Sequence, residues 1–145
     1  MTVARPLPHD AAHRHVDGTA RYVDDIPVPA GTLHLCFGCA RIARGRVTAM
    51  DLAPVRAAEG VVAVLTAADL PFDNDVAPVA HDEPLLSDGA VHYAGQPLFL
   101  VVAESHRQAR KAARRAAVTY EEEAPILTVE QALAADSRFE EGPRV

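Results

Sequence analysis

Histidines and aspartates that could bind a metal or exchange protons are concentrated near the start of the chain, in HDAAHRHVDGTARYVDDIP (residues 9–27). A metal site would need the imidazoles of His9, His13 and His15 to converge. Their spacings of four and two residues fit neither one face of a regular helix nor the tetrahedral pattern of zinc sites. We therefore expect no metal at this segment.

Two adjacent carboxylates in the same segment, Asp24 and Asp25, could form an acid–base pair, since like carboxylates in one pocket separate their pKa values. Adjacent residues of an extended segment point apart, however, and Pro27 follows almost at once. Aspartate side chains accept hydrogen bonds from backbone N–H groups and fix the bend before a proline. The sequence therefore predicts a structural role for this pair.

The two cysteines, Cys36 and Cys39, form a C-x-x-C pair, which can be redox-active or half of a zinc site. They lie within LHLCFGC, which reads as a strand, and residues three apart on a strand point to opposite faces. Gly38 could introduce a bulge that brings them together, but no second C-x-x-C completes a zinc shell. We expect two buried thiols that pack as small hydrophobic groups.

A long polar segment, PFDNDVAPVAHDEPLLSDG (residues 71–89), separates the two halves of the chain. It is rich in Pro, Asp and Asn and shows no sustained hydrophobic period. A loop of this length in a compact domain tends to be functional or disordered. It is the strongest candidate for a recognition element.

Composition bounds the class of protein. The chain has 145 residues, 49% of them hydrophobic, enough for one domain with a real core. Its net charge of −6 argues against nucleic acid or an anionic membrane as a partner. No apolar run approaches the roughly 18 residues of a membrane span, and the first ten residues lack the hydrophobic region of a secretory signal. We expect a cytoplasmic location.

Hydrophobic patterning predicts strands at residues 32–39, 45–50, 61–65, 91–93, 98–103 and 118–121. The run VVAVL at 61–65 predicts a strand buried on both faces. Short helices are predicted at 54–58, at 67–70 and after a capping box formed by Thr128 and Gln131.

The longest predicted helix, residues 106–117, follows a capping box formed by Ser105 and Gln108. One face is a stripe of small side chains that should pack closely on a sheet, and cations cover the rest as a solvated face: Ala109, Ala112, Ala113 and Ala116, then Arg107, Arg110, Lys111, Arg114 and Arg115. Strands that come both as neighbours and as strand–helix–strand favour an α+β domain with a helix packed on a mixed sheet.

Four segments in this order resemble one family: GTARYVDDIPVPAGTLHL, PVRAAEGVVAVLTAADLP, DGAVHYAGQPLFLVVAES and AARRAAVTYEEEAPILTVEQAL. They are similar to the N-terminal a/b hammerhead domain in the molybdenum-binding subunit of xanthine dehydrogenases and related molybdenum hydroxylases. The resemblance runs from about Arg5 to Phe139, and the opening segment is closest to the xanthine dehydrogenase branch. Where relatives often carry an A-H-A-R-like segment, this chain has Ala43-Arg-Gly-Arg46.

The resemblance implies one hammerhead domain over residues 1–145, with an N-terminal arm at 1–20 and the start of a linker at 136–145. The whole enzyme would hydroxylate hypoxanthine to xanthine and xanthine to urate, using a molybdenum–pterin cofactor, iron–sulfur clusters and FAD. Its base and pterin-binding groups would lie in later domains of the subunit. The implied partners are those domains and the iron–sulfur/FAD subunit, and the present chain alone should be inactive, with no catalytic, cofactor or metal residues.

The resemblance also implies that the loop from Phe72 to Ser87 borders the funnel by which purines reach the molybdenum. By register with HDEP, Val79 and Ala80 are the candidate lining residues. Small apolar groups there would admit a flat heterocycle.

Alternatives are a subunit of the aldehyde oxidase or carbon monoxide dehydrogenase type, and a stand-alone small-molecule binding module that uses the loop. A small hydrolase is a weaker alternative, because Ser87, Ser105 and Ser137 lack a nucleophile-elbow context and no motif links one of them to a histidine.

Overall fold

A computed structural model of the protein describes residue 4 and residues 6–79 and 81–138, and it divides the chain into two compact units, Met1–Thr32 and Leu33–Val145. The first unit contains a short helix, α1 (Ala12–Asp17), and a 3₁₀ turn at Val23–Asp25. The structure does not test the predicted single domain, nor the predicted arm at 1–20 and linker at 136–145. Of the linker, residues 139–145 lie outside the described part of the chain.

The second unit contains all the described strands, in two three-stranded sheets. The first sheet has the order β1-β5-β3 and the second has the order β4-β2-β6. The bounds in chain order are β1 His34–Cys39, β2 Gly45–Asp51, β3 Val61–Leu65, β4 Ala90–Val91, β5 Pro97–Ala103 and β6 Ala117–Glu122.

Helices connect and flank these strands: α2 (Ala53–Arg56), α3 (His106–Ala113) and α4 (Val129–Ala134), with a further 3₁₀ turn at Ala67–Asp69. The predicted α+β class is confirmed. All strand pairs among the described residues are antiparallel, so the predicted single mixed sheet is replaced by two antiparallel sheets. The reason is that the chain leaves β5 through α3 and joins β2 of the second sheet, instead of returning parallel to β5.

Much of the core of the unit lies under α3, on one face of the first sheet, and buried residues such as Val91 and Leu98 extend it beyond the helix. It is formed by apolar side chains of the central strand β5, of α2 and β3, and of the helix: Val55, Val64, Phe99, Val101, Ala103, Ala109 and Ala112. The alanine stripe is confirmed, since Ala109 and Ala112 are fully buried and Ala113 and Ala116 pack against the core. The five cations predicted to be solvated are all exposed.

Strand β3 differs from its prediction. Its five consecutive apolar residues predicted burial on both faces, but only Val64 is buried and Val62 is 56% exposed. β3 is an edge strand that pairs with β5, and a register shift between Val61 and Ala63 turns Val62 outward. An unbroken apolar run does not distinguish a central strand from an edge strand.

The helix caps were largely predicted. Thr128 and Gln131 form the complete capping box, with both reciprocal hydrogen bonds at 3.2 Å. At α3 only half of the box forms: Ser105 Oγ accepts from the Gln108 N–H at 3.3 Å, and the Gln108 side chain accepts from that hydroxyl instead of from the cap backbone. The helix ends at Ala113, earlier than predicted, because β6 begins at Ala117.

The prediction of two buried cysteines is wrong. Cys36 is half-buried and Cys39 is exposed. The strand register shifts between Gly38 and Cys39, so the bulge considered for Gly38 is present and it carries Cys39 outward. Partial burial raises the pKa of the Cys39 thiol, and the charge of the Cys36 thiolate raises it further. A smaller fraction of Cys39 is therefore thiolate at neutral pH than for an ordinary exposed thiol.

Gly38 itself is required by packing. It faces Phe99, with which it is paired across β1 and β5, and a Cβ at this position would collide with the aromatic ring. The ring fills the space that a side chain would occupy, so the two residues form one packing unit.

Candidate functional site

The long loop between the turn at Ala67–Asp69 and β4 is closed at its base by a pair of reciprocal hydrogen bonds. The Asn74 Nδ2 group donates to the Leu86 carbonyl at 2.6 Å, and the Leu86 N–H donates to Asn74 Oδ1 at 3.0 Å. The Leu86 side chain is fully buried. The asparagine amide thus imitates a strand pair across twelve residues and joins the two ends of the loop.

A second set of bonds closes the loop nearer its tip. The Val76 N–H donates to the Glu83 carbonyl at 2.9 Å. Asp75 accepts from the Ala77 N–H at 2.9 Å and lies 2.6 Å from His81 Nδ1. The Ala77 hydrogen bond, followed by that of His81, lowers the pKa of Asp75, so this carboxylate is ionised at neutral pH and holds both partners.

The tip of the loop carries the candidate channel residues. Val79 is 84% exposed, so its side chain is available to whatever faces the loop. Ala80 lies outside the described residues. The structure leaves the proposed channel role of both residues untested.

A groove of about 450 Å³ runs beside the loop. Its walls include apolar and aromatic side chains from the loop, from β1 and from the turn after β4, together with two carboxylates of the loop: Phe37, Val76, Leu85, Tyr93, Asp82 and Glu83. Phe37 and Tyr93 are 43% and 56% exposed. Exposed aromatic side chains offer flat apolar surface, so the groove can accommodate an apolar chain segment or ring.

The groove was not predicted from the sequence. The pair of hydrogen bonds between Asn74 and Leu86, which we call the clasp, was not predicted either. The segment was read only as irregular. A usable signal was the pair Leu85-Leu86, two large apolar residues in an otherwise polar loop, which requires a burial site. Asn74 is one of the residue types that hydrogen-bond to nearby backbone, but the partner, twelve residues away, leaves no local pattern.

Two of the three serines considered for hydrolysis, Ser87 and Ser105, have structural roles. The Ser87 hydroxyl donates to the Ala90 carbonyl and accepts from the Gly89 N–H, which fixes the turn into β4. Ser105 caps α3. Neither hydroxyl is hydrogen-bonded to a histidine in the described part of the chain, so neither Ser87 nor Ser105 forms the serine–histidine pair that a hydrolase would need.

The histidines of the opening segment do not lie together on one face. His13 and His15 are two apart on α1, where side chains diverge, whereas His9 precedes the helix. The His15 ring is 6.1 Å from that of His9 and its Nδ1 is 3.2 Å from the Tyr22 hydroxyl. Among the described residues, no three His, Cys, Asp or Glu side chains are grouped as a metal would require.

Asp25 fixes a turn, as predicted, and Asp17 does the same earlier in the segment. Asp25 Oδ2 accepts from the Tyr22 N–H at 3.0 Å within the turn at Val23–Asp25. Asp17 accepts from the hydroxyl and the N–H of Thr19, which lowers the pKa of its carboxyl. Asp24 is exposed and lies in the same turn, so the two adjacent carboxylates do not share a pocket.

Comparison with known proteins assigns this arrangement to a class. The family model described as "Aldehyde oxidase and xanthine dehydrogenase, a/b hammerhead domain" matches residues 17–124. Quinoline 2-oxidoreductase from Pseudomonas putida 86 has a similar structure, with a TM-score of 0.82 and 27% identity over 95% of this chain and 18% of that chain. The chain belongs to the a/b hammerhead domain family of aldehyde oxidases and xanthine dehydrogenases.

Two curated relatives are similar to nearly the whole of this chain. Xanthine dehydrogenase of Drosophila pseudoobscura pseudoobscura is 39% identical over 98% of this chain and 11% of its own length. Nicotinate hydroxylase hnxS of Emericella nidulans is 36% identical over 97% of this chain and 10% of its own length. The chain spans about a tenth of the length of the curated relatives it matches. None of the helices in the described residues is long and apolar enough to cross a membrane.

Proposed function

We propose that this chain is the hammerhead portion of a xanthine dehydrogenase that hydroxylates hypoxanthine to xanthine and xanthine to urate. The observation that supports the proposal is the 39% identity to a xanthine dehydrogenase over 98% of the chain. Because one fold hosts several chemistries, this identity and not the architecture carries the substrate class. The enzyme would act in the cytoplasm.

The cofactors of the parent enzyme would be a molybdenum–pterin group, iron–sulfur clusters and FAD. The molybdenum group would supply the oxygen chemistry on the purine. The described residues do not fit an iron–sulfur cluster, because they bring together no group of three His, Cys, Asp or Glu side chains that could serve as its ligands. The proposed partners are the remaining domains of the molybdenum-binding subunit and the iron–sulfur/FAD subunit, which would hold the cofactors.

The contribution of this chain would be to position the loop tip at the substrate channel. The clasp between Asn74 and Leu86 holds the base, and the bonds of Asp75 hold the segment beneath the tip. Val79 projects from this support with 84% of its surface exposed. Val79 and Ala80 would line the channel with small apolar groups that admit a flat heterocycle without binding it tightly.

The test uses the longer polypeptide that carries this domain, assayed for oxidation of xanthine and hypoxanthine. Val79→Arg should raise KM or lower kcat by about tenfold, because a long charged side chain would narrow the channel, while the molybdenum content stays unchanged. Val129→Arg is the matched control, since Val129 is a similarly exposed valine on α4. Wild-type kinetics in Val79→Arg would assign the channel to other residues.

Nicotinate is the second substrate to assay, because a nicotinate hydroxylase is 36% identical over 97% of the chain. Turnover of nicotinate with no turnover of either purine would replace the proposed substrate. Turnover of xanthine would support it.

A further inference from the structure

The first sheet has an apolar face on the side away from α3. We call this the outer face and define it by six side chains on its three strands: Leu35, Phe37, Ala63, Leu65, Leu100 and Val102. Leu35 pairs with Val102 and Phe37 with Leu100 across β1 and β5, and Ala63 and Leu65 pair with the same two residues from β3. Their alternation with the core residues places all six on one side.

The opposite side of the sheet is closed by α3. Phe99 and Val101 are buried there, against the alanine stripe of the helix. The outer face differs: Leu35 is 55% exposed, Phe37 is 43% exposed, and the other four side chains are half-buried. On the same side of β5, Leu98 is 2% exposed, so residues 33–79 and 81–138 cover this side of the sheet at Leu98 but leave the six side chains of the outer face partly exposed.

An outer face of this composition is not adapted to water. Antiparallel sheets with one solvated face alternate hydrophobic residues inside with polar residues outside. Here none of the six positions carries a polar or charged side chain, although the other face of the sheet is buried under α3. Contiguous apolar patches of this kind mark interfaces.

The length of the relatives indicates what covers the face. The chain spans only about a tenth of its curated relatives and 18% of the similar quinoline 2-oxidoreductase chain. We infer that the outer face is the docking surface of this domain for an apolar surface of the remaining part of the same longer polypeptide. The inference rests on the proposed function only in requiring that longer polypeptide, and not in its substrate.

The groove beside the loop supports this assignment. Phe37 belongs both to the outer face and to the wall of that groove, so the apolar surface continues from the sheet to the loop. A partner seated on the outer face would extend along the groove and also contact Tyr93, which is 56% exposed. Docking of the sheet would thereby place the loop against the rest of the enzyme.

Hydroxyl-radical footprinting tests the inference on two proteins, the 145-residue chain and the longer polypeptide. Oxidation of Leu35 and Phe37 should fall about fivefold or more in the longer polypeptide, as expected when half-exposed side chains become buried. Equal oxidation in the two proteins would overturn the inference. Protection already present in the 145-residue chain, growing with its concentration, would also overturn it by identifying a second copy as the occupant.

A pair of variants gives an independent measurement. Leu35→Lys and Thr119→Lys each place a lysine at an exposed position on an edge strand, one on the outer face and one in the second sheet. In the 145-residue chain both should unfold at the urea midpoint of the unsubstituted chain. In the longer polypeptide only Leu35→Lys should lower the midpoint, and equal midpoints for the two variants would contradict docking.

These outcomes are separable from those of the functional proposal. A protected outer face in a polypeptide that oxidises no purine would remove the proposed substrate and leave the docking surface. Purine turnover by a polypeptide whose outer face is labelled as strongly as in the 145-residue chain would support the proposed substrate and remove the docking surface.

Discussion

At the scale of single residues, the large side chain of Phe99 requires a glycine at position 38 on the neighbouring strand. The aromatic ring of the central strand lies where a side chain of the edge strand would be, so the glycine is a consequence of the ring. The same strand shows that its bulge, and not its sequence period, decides the exposure of Cys39.

Replacing this glycine should therefore destabilise the domain through steric overlap. Gly38→Ala should lower the free energy of unfolding by about 1–3 kcal/mol, the usual range for overpacking a core. In a Phe99→Leu background the same substitution should cost less, because the smaller side chain vacates the space. Urea denaturation of the two single variants and the double variant measures this coupling, and additive effects would show that the ring does not cause the strain.

At the scale of elements, α3 combines a buried stripe of alanines with a fully charged outer surface. The small side chains let the helix approach β1 and β5 closely, which leaves no room for a larger residue.

Ala112→Glu should place an unpaired carboxylate in this contact, since Ala112 is 1% exposed. We expect a loss of at least about 3 kcal/mol in the free energy of unfolding. Arg110→Glu, at an exposed position on the same helix, is the control and should change stability by less than about 1 kcal/mol. A thermal melt of Ala112→Glu that matches the unsubstituted protein would show that the stripe is not buried.

The loop is a second element whose integrity depends on one side chain. Asn74→Ala should leave the backbone N–H and carbonyl of Leu86 without partners, at a cost of about 1–3 kcal/mol. Amide hydrogen exchange at Leu86 should accelerate in this variant. Asp73→Ala, at the exposed neighbouring position, should leave that exchange rate unchanged, and a comparable acceleration there would indicate a general loosening of the loop.

Elements were easier to predict than their pairing. Periodicity and capping residues located all six strands and the two principal helices within a few residues, since those signals are local. The division into two sheets, the edge position of β3 and the clasp at Asn74 depend on partners far along the chain. Turn chemistry at Asp25 was predicted correctly because it is satisfied within three residues.

At the scale of the whole molecule, the Leu33–Val145 unit has two unequal surfaces. The α3 side carries exposed cations, whereas the outer face of the first sheet carries none of either sign at its six positions. A domain with this asymmetry has one side suited to water and one suited to a neighbouring domain.

The molecule should bind no stoichiometric molybdenum, zinc or iron by itself. The expectation follows from the described residues, among which no three His, Cys, Asp or Glu side chains are grouped as the ligands of a metal ion would be. Elemental analysis of the purified 145-residue chain is the measurement. About one metal equivalent per chain, lost in a variant with both His13→Ala and His15→Ala, would contradict the structural interpretation of the opening segment.

The clasp at the base of the loop also has a consequence for evolutionary change. Because Asn74 and Leu86 join the two ends of the segment to each other, the residues between them can be exchanged or lengthened without altering β4 or the turn before it. The segment from Val76 to Glu83 could therefore change in sequence or length while the hydrogen bonds between Asn74 and Leu86 remain. Relatives that act on different molecules could diverge there while conserving every strand of the domain.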